Sequence, residues 1–251
     1  MDNLTFSIDR SKHIPAYYQI EEFIQERIEN SDWPPDTQIP TEKEICALFD
    51  VSRSVVRQAI GNLVNQGLLH RIPGKGTFVA KPKIAEGLIQ SLTGFYEDMT
   101  GRGMVPHTEV LEKEVIPAPG KIARLLQIKN GEDVHHIVRL RGVAGEEKLS
   151  LSTTFIPYRL APGLVNEDLT RKSLYELLSS YGLNIQYADR IIEASKASRE
   201  DANLLGVEVN SPLLVMTNIS FLEDGVPVEY YVAKHSGVRS KLKIRLVREH
   251  K

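Results

Sequence analysis

The sequence predicts an α+β chain of two domains, an N-terminal winged helix-turn-helix followed by an antiparallel sheet with packed helices. Three observations predict it. A helical pattern of apolar residues occurs twice between Thr41 and Leu63, interrupted only by Asp50-Val51-Ser52. A glycine-rich tip, Pro73-Gly74-Lys75-Gly76, separates two short apolar runs. Beyond Lys83, strand-like alternation dominates and is broken by short helical patterns. A length of 251 residues suits two domains, and 41% hydrophobic residues suffice for packed cores.

In chain order, Met1 to His13 reads as a loose arm. Pro15 suits the start of a helix running to about Asn30, with Tyr17, Ile20, Phe23, Ile24 and Ile28 as its apolar stripe. Trp33-Pro34-Pro35-Asp36 is a turn whose tryptophan plugs the core. Thr41, followed at the third position by Glu44, is a capping box, and it opens a helix with Ile45, Leu48 and Phe49 on the buried side. After a tight turn, Ser52 caps a second helix from Arg53. Its apolar side carries Val55, Val56, Ala59, Ile60 and Leu63, and its other side Ser54, Arg57, Gln58 and Gly61. Gly67 is the C-cap residue. Leu68 to Ile72 and Thr77 to Val79 then form the wing.

This arrangement reads DNA. The first turn of the Arg53 helix enters the major groove, where Arg53 and Arg57, one turn apart, reach base edges or phosphates. Lys43 and Ser54 hold backbone phosphate, and Lys75 with Gly76 places the wing. A net charge of −2 gives no global basic signature, but seven basic residues face three acidic ones between Ile39 and Lys83. One recognition helix covers few base pairs, so the expected assembly is a homodimer on a palindromic double-stranded operator.

Ala80-Lys81-Pro82-Lys83 has linker composition, which divides the chain into residues 1–80, a linker at 81–86, and a second domain at 87–251. Strands are expected at Thr108–Ile116, Val134–Val143, Leu149–Ile156, Ile185–Ala197, Leu213–Leu222, Val226–Ala233 and Leu242–Val247. Gly145-Glu146 and Asp224-Gly225 are the expected hairpin turns. Helices are expected at Thr93–Gly101, Lys121–Leu126, Ser173–Tyr181 and Arg199–Leu205. Residues two apart on a strand share a face, so Arg139 and Arg141 point the same way. They form either a clamp for phosphate or carboxylate or a surface pair on an edge strand. At Leu92-Thr93-Gly94-Phe95 a helix begins, where Thr93 is an anion contact or an N-cap only.

From His13 to Lys83 the sequence resembles the GntR family of bacterial transcription regulators. The motifs Ile39-Pro40-Thr41-Glu42, Ser52-Arg53 with Val56-Arg57-Gln58-Ala59, and Gly74-Lys75-Gly76-Thr77-Phe78-Val79-Ala80 carry the likeness. The remainder is similar to the UTRA effector-binding domain of the HutC branch, nearest to phosphosugar-responsive regulators of amino-sugar use. This resemblance implies a chorismate-lyase-like fold and a small anionic effector. It also implies an effector site of Thr93, Gly94, Phe95, Arg139, Arg141, Ser173, Tyr175 and Glu229. The chain departs from the family pattern at Gly94, where serine is frequent, at Ser152 in place of a glutamate, and at His235 in place of a tyrosine.

A single cysteine, Cys46, excludes a disulfide framework and a multi-cysteine metal site, and reads as a small core residue. His135 and His136 are adjacent on a strand and face opposite ways, so they cannot chelate one metal together. No catalytic motif, metal site or cofactor is expected. The N-terminus has no secretion signal, and no stretch is apolar enough to span a membrane, so a cytoplasmic protein is expected. The alternative to a regulator is an enzyme of chorismate-lyase-like fold with a winged-helix appendage. A protein-binding winged helix is a third reading, against which the arginine pair argues.

Overall fold

In the computed structural model, which describes residues 7–11, 13–72, 74–86, 92, 94–144 and 148–244, the chain separates into two units, Met1–Lys83 and Ile84–Lys251. In the first, α1 (Ala16–Glu29) starts behind Pro15, whose restricted φ of −56° serves as the N-cap. The capping box opens α2 (Glu42–Phe49): Glu44 N–H donates to Thr41 Oγ1 at 3.3 Å, and Thr41 N–H donates to Glu44 Oε2 at 2.7 Å. Asp50 turns the chain in the left-handed region at φ 50°, a conformation aspartate tolerates better than bulkier residues. Then α3 (Arg53–Asn65) ends as glycine at C′ dictates. Gly67, at φ 73°, donates to Val64 O, and Leu68 N–H reaches back to Leu63 O, both at 2.9 Å. The wing pairs β1 (Leu69–Ile72) with β2 (Gly76–Val79) in antiparallel register.

Ile20, Ile24, Ile60, Leu63 and Leu69 fill the core of this unit, and Phe23 meets Phe49 and Trp33 edge-on at 5.2 and 6.1 Å. Cys46 is partly buried against it. Two expectations are corrected here. Leu48 is exposed, because so short a helix buries a narrow stripe, and Ile45 and Phe49 at i and i+4 occupy it. The described part of the N-terminal arm is tied down: the Asp9 backbone bonds both ways with Gln19, and Arg10 Nη2 donates to Asp50 O and Oδ2.

In the second unit, a six-stranded antiparallel sheet runs in the order β4-β5-β6-β9-β8-β7. Its strands are β4 (Pro106–Pro117), β5 (Asp133–Val143), β6 (Lys148–Pro157), β7 (Tyr187–Lys196), β8 (Pro212–Phe221) and β9 (Pro227–Ser236). Its helices are α4 (Phe95–Thr100), α5 (Gly120–Leu125), α6 (Leu174–Ser180) and α7 (Arg199–Leu205), with two 3-10 turns at Tyr158–Leu160 and Pro162–Asn166. Around Ile137, Ile156, Leu164, Leu178 and Val228, one apolar cluster joins the sheet to α6.

The linker expected at 81–86 is partly a strand. Residues 84–86 form β3 (Ile84–Glu86), paired in parallel with β10 (Ser240–Leu242), a short and distant partner that leaves no periodic signal. This β10 replaces the strand expected at Leu242–Val247, whose last three residues lie outside the described ones, as does the Gly145-Glu146 turn. Gly225, at φ 83°, makes the β8–β9 turn.

Candidate functional site

In the first unit, Arg53, Ser54 and Arg57 are exposed on α3, and Lys43 is exposed on α2. The Ser52 hydroxyl does not cap the helix but sits 2.8 Å from that of Ser54, so the first-turn N–H groups of α3 have no side-chain partner at the cap. Arg57 Nε donates to Glu42 Oε2 at 2.9 Å, with its side chain 70% exposed. A surface pair of this kind is worth about 1 kcal/mol or less, so Glu42 orients Arg57 without withholding it from another partner. At the wing, Lys75 is exposed and Gly76 adopts φ 132°. A Cβ on Gly76 would come within 2.5 Å of Gln38 Nε2, which donates to Lys75 O at 3.0 Å. Glu42 and Gln38 were not legible as supports, since each acts through a neighbour distant in sequence.

The second unit has a pocket enclosing about 570 Å³, open mouth included, on one face of the sheet. Gly94, Phe95, Arg139, Arg141, Ser173, Tyr175 and Glu229 all line it; Thr93 lies outside the described residues. Strand alternation puts Arg139 and Arg141 on this face, and both are buried, at 3% and 7% exposure. Across the ladder stand Ser152 and Ser150, small and fully buried, which leave space beside the guanidinium stems. The Nε of each arginine has no hydrogen-bond partner among the described residues. The Arg141 guanidinium lies 5.4 Å from the centre of the Phe95 ring.

Burial, then the neighbouring charge of Arg141, pull Arg139 down to about 9, which leaves it a cation at neutral pH. Glu229, 1% exposed, is pushed above the usual carboxylate range by burial, against hydrogen bonds from Ser220 and Tyr175 and the charges of Arg139 and Arg141. Tyr175 OH donates to Glu229 Oε2 at 2.9 Å, and burial with the adjacent carboxylate raises its phenol well above its ordinary value. Ser173 caps α6 and donates its hydroxyl to Glu97 Oε1, while Glu97 Oε2 is buried with no partner among the described residues.

Sequence reasoning missed Glu97, Lys172, Arg190 and Tyr231 as pocket residues. For Arg190 and Tyr231 a signal existed, since each has a position on a strand and Tyr231 shares a face with Glu229 two residues away. Four cationic side chains, Arg139, Arg141, Lys172 and Arg190, line the pocket against the carboxylates of Glu97 and Glu229, and this surplus favours an anion. Elsewhere, His135 is buried with Nε2 2.8 Å from Ala161 O, and burial lowers its pKa. His136 instead faces Glu112 and Glu114 at 3.6 and 3.3 Å, a spacing that exposed acidic groups also show without an ion.

Residues 16–79 match the bacterial regulatory proteins of the gntR family, and residues 101–241 match the UTRA domain. The chain is 36% identical over 234 residues to the HTH-type transcriptional repressor NagR of Bacillus subtilis (strain 168), covering 93% of this chain and 95% of that protein. The chain belongs to the GntR family. Its two matched segments make it a HutC-type GntR regulator, and the family is one of transcription regulators rather than enzymes. Another GntR relative, the mannosyl-D-glycerate transport/metabolism system repressor MngR of Escherichia coli (strain K12), is 32% identical over 87% of this chain and 90% of its own. The crystal structure of PhnF from Mycobacterium smegmatis shares the fold, with a TM-score of 0.64 at 24% identity over 93% of this chain and 99% of that one. Among the described residues no helix is long and apolar enough to cross a membrane.

Proposed function

We propose that this GntR regulator is a cytoplasmic repressor that binds a palindromic operator as a homodimer, and that a small anionic metabolite such as a phosphosugar controls its DNA affinity. Residues 1–80 read DNA, 81–86 connect, and 87–251 bind the effector and dimerise. The observation that carries the effector reading is the convergence of Arg139 and Arg141 in one pocket, both buried, each with an Nε that has no partner among the described residues. Two buried like charges are costly alone, and an anion between them offsets that cost through charge-assisted hydrogen bonds. MngR is named for the use of an acidic sugar conjugate, which is the chemistry this pocket suits.

On the DNA side, Arg53 and Arg57 reach base edges or phosphates, Lys43 and Ser54 hold the backbone, and Lys75 with Gly76 sets the wing. The effector acts by favouring one state of the regulator, with a coupling of about 1 to 3 kcal/mol, or roughly 5- to 150-fold in operator affinity. The test selects operator fragments from random DNA with the purified protein and titrates the complex with hexose 6-phosphates. Arg139→Ala should still bind the operator and lose the response. Release of wild type and variant at the same sugar phosphate concentration would show that the anion site lies elsewhere.

A further inference from the structure

Beneath the pocket, a chain of hydrogen bonds ends on its carboxylate. Arg190 Nε of β7 donates to Asn218 Oδ1 of β8 at 3.0 Å, and Asn218 Nδ2 donates to Ser220 Oγ at 2.7 Å. The Ser220 hydroxyl then donates to Glu229 Oε2 at 2.8 Å, the same oxygen that Tyr175 OH reaches at 2.9 Å. Asn218 and Ser220 are fully buried. Cross-strand register makes the chain possible, since Arg190 stands opposite Asn218 and Ser220 opposite Glu229. Its direction is forced. A guanidinium only donates, so the amide oxygen of Asn218 must face Arg190 and its NH2 must face Ser220. Having accepted that bond, Ser220 turns its single proton to Glu229. Glu229 Oε2 is thereby occupied by two donors, as suits an ionised carboxylate.

We infer that Arg190, Asn218 and Ser220 are positioning residues of the effector site, holding Glu229 as an acceptor-only carboxylate. The effector must then bring a hydrogen-bond donor, a hydroxyl or an ammonium, to Glu229 while its anionic group meets Arg139 and Arg141. This rests on the reading of the pocket as an effector site and adds which residues set its preference for a sugar phosphate over a bare anion. A bare anion satisfies the arginines and leaves Glu229 facing like charge.

The test is calorimetric titration of the full-length protein with three probes: inorganic phosphate, glucose 6-phosphate and glucosamine 6-phosphate. Asn218→Asp preserves shape and the Arg190 contact, but its carboxylate accepts the Ser220 proton and so takes it from Glu229. Ser220→Ala removes the proton outright and carries the test if Asn218→Asp does not fold; Ser220→Thr restores a hydroxyl. Wild type should bind a sugar phosphate at least about tenfold more tightly than inorganic phosphate, the size expected of one hydrogen bond to a charged group. In Asn218→Asp and Ser220→Ala that ratio should collapse, with phosphate affinity within about twofold of wild type in Ser220→Ala, which adds no charge, and Ser220→Thr should recover it. Unchanged sugar phosphate binding in both variants overturns the inference, as does equal loss for all three probes, which marks a general folding role. Arg139→Ala separates the underlying reading: if it and wild type bind all probes alike, or wild type binds none, the anion site itself is refuted and the inference goes with it.

Discussion

The side chains proposed to meet DNA fall between Lys43 and Gly76, and nearly all are exposed. Those proposed to meet the effector run from Gly94 to Glu229 and come from α4, β5, α6 and β9, with Arg139, Arg141, Ser173 and Glu229 each less than a tenth exposed. The difference lies in what each surface costs the fold. An exposed arginine such as Arg53 keeps its hydration and contributes little to stability either way. A buried guanidinium has lost water and depends on its neighbours, so a ligand that supplies the missing anion changes the energy of the whole unit. A DNA contact can therefore be removed with little effect on folding, whereas any change in the pocket is felt in both binding and stability.

Four substitutions press on this contrast, and the largest effect belongs to the core beneath the DNA surface. Leu63→Ala deletes a fully buried side chain and should cost about 2 to 5 kcal/mol. Denaturant unfolding should show the loss in the first unit, while the stabilisation of the second by a sugar phosphate persists; a lost ligand response would mean the units fold as one. Next, Arg53→Ala should reduce discrimination between operator and random DNA by about 1 to 3 kcal/mol if the arginine reads a base. Its unfolding midpoint should match that of wild type, and a marked drop would break the contrast. Smaller again, Thr41→Ala removes the capping box and should cost about 1 kcal/mol of stability, measured by thermal unfolding.

Glu229→Gln should give the smallest change, with a sign set by pH. Burial raises the folded-state pKa of Glu229 above the ordinary carboxylate value. As pH rises between those two values, the folded state holds a proton that the unfolded state has released, so this group lowers stability through that window and keeps it lower above. Unfolding midpoints of Glu229→Gln should fall less steeply across the window and lie slightly above wild type at neutral pH, even as affinity for a donor-bearing sugar phosphate declines. A lower midpoint at neutral pH would mean that the arginines over-compensate the buried charge.

Local signals account for what was legible in the sequence. The Thr41/Glu44 box, the Asp50 turn and the Gly67 cap each depend on residues within a few positions, and each stands where the spacing puts it. Period-two alternation likewise located six long strands and set Arg139 and Arg141 on one face. Leu48 marks where periodicity stops deciding, because the width of the buried stripe depends on the neighbours the helix meets.

What the amino-acid sequence determined by itself was the kind of element at each place and the residues each face presents, since backbone propensity, capping and alternation act over short distances. Only the tertiary structure decided which faces meet. The parallel pairing of Ile84–Glu86 with Ser240–Leu242, the Gln38 brace under the wing, the Ser173 bond to Glu97 and the chain from Arg190 through Asn218 and Ser220 to Glu229 all join residues far apart in sequence or on different strands. Their partners are fixed by strand order and register, which minimise unpaired backbone and exposed apolar area over the whole unit, and no local pattern encodes that global balance.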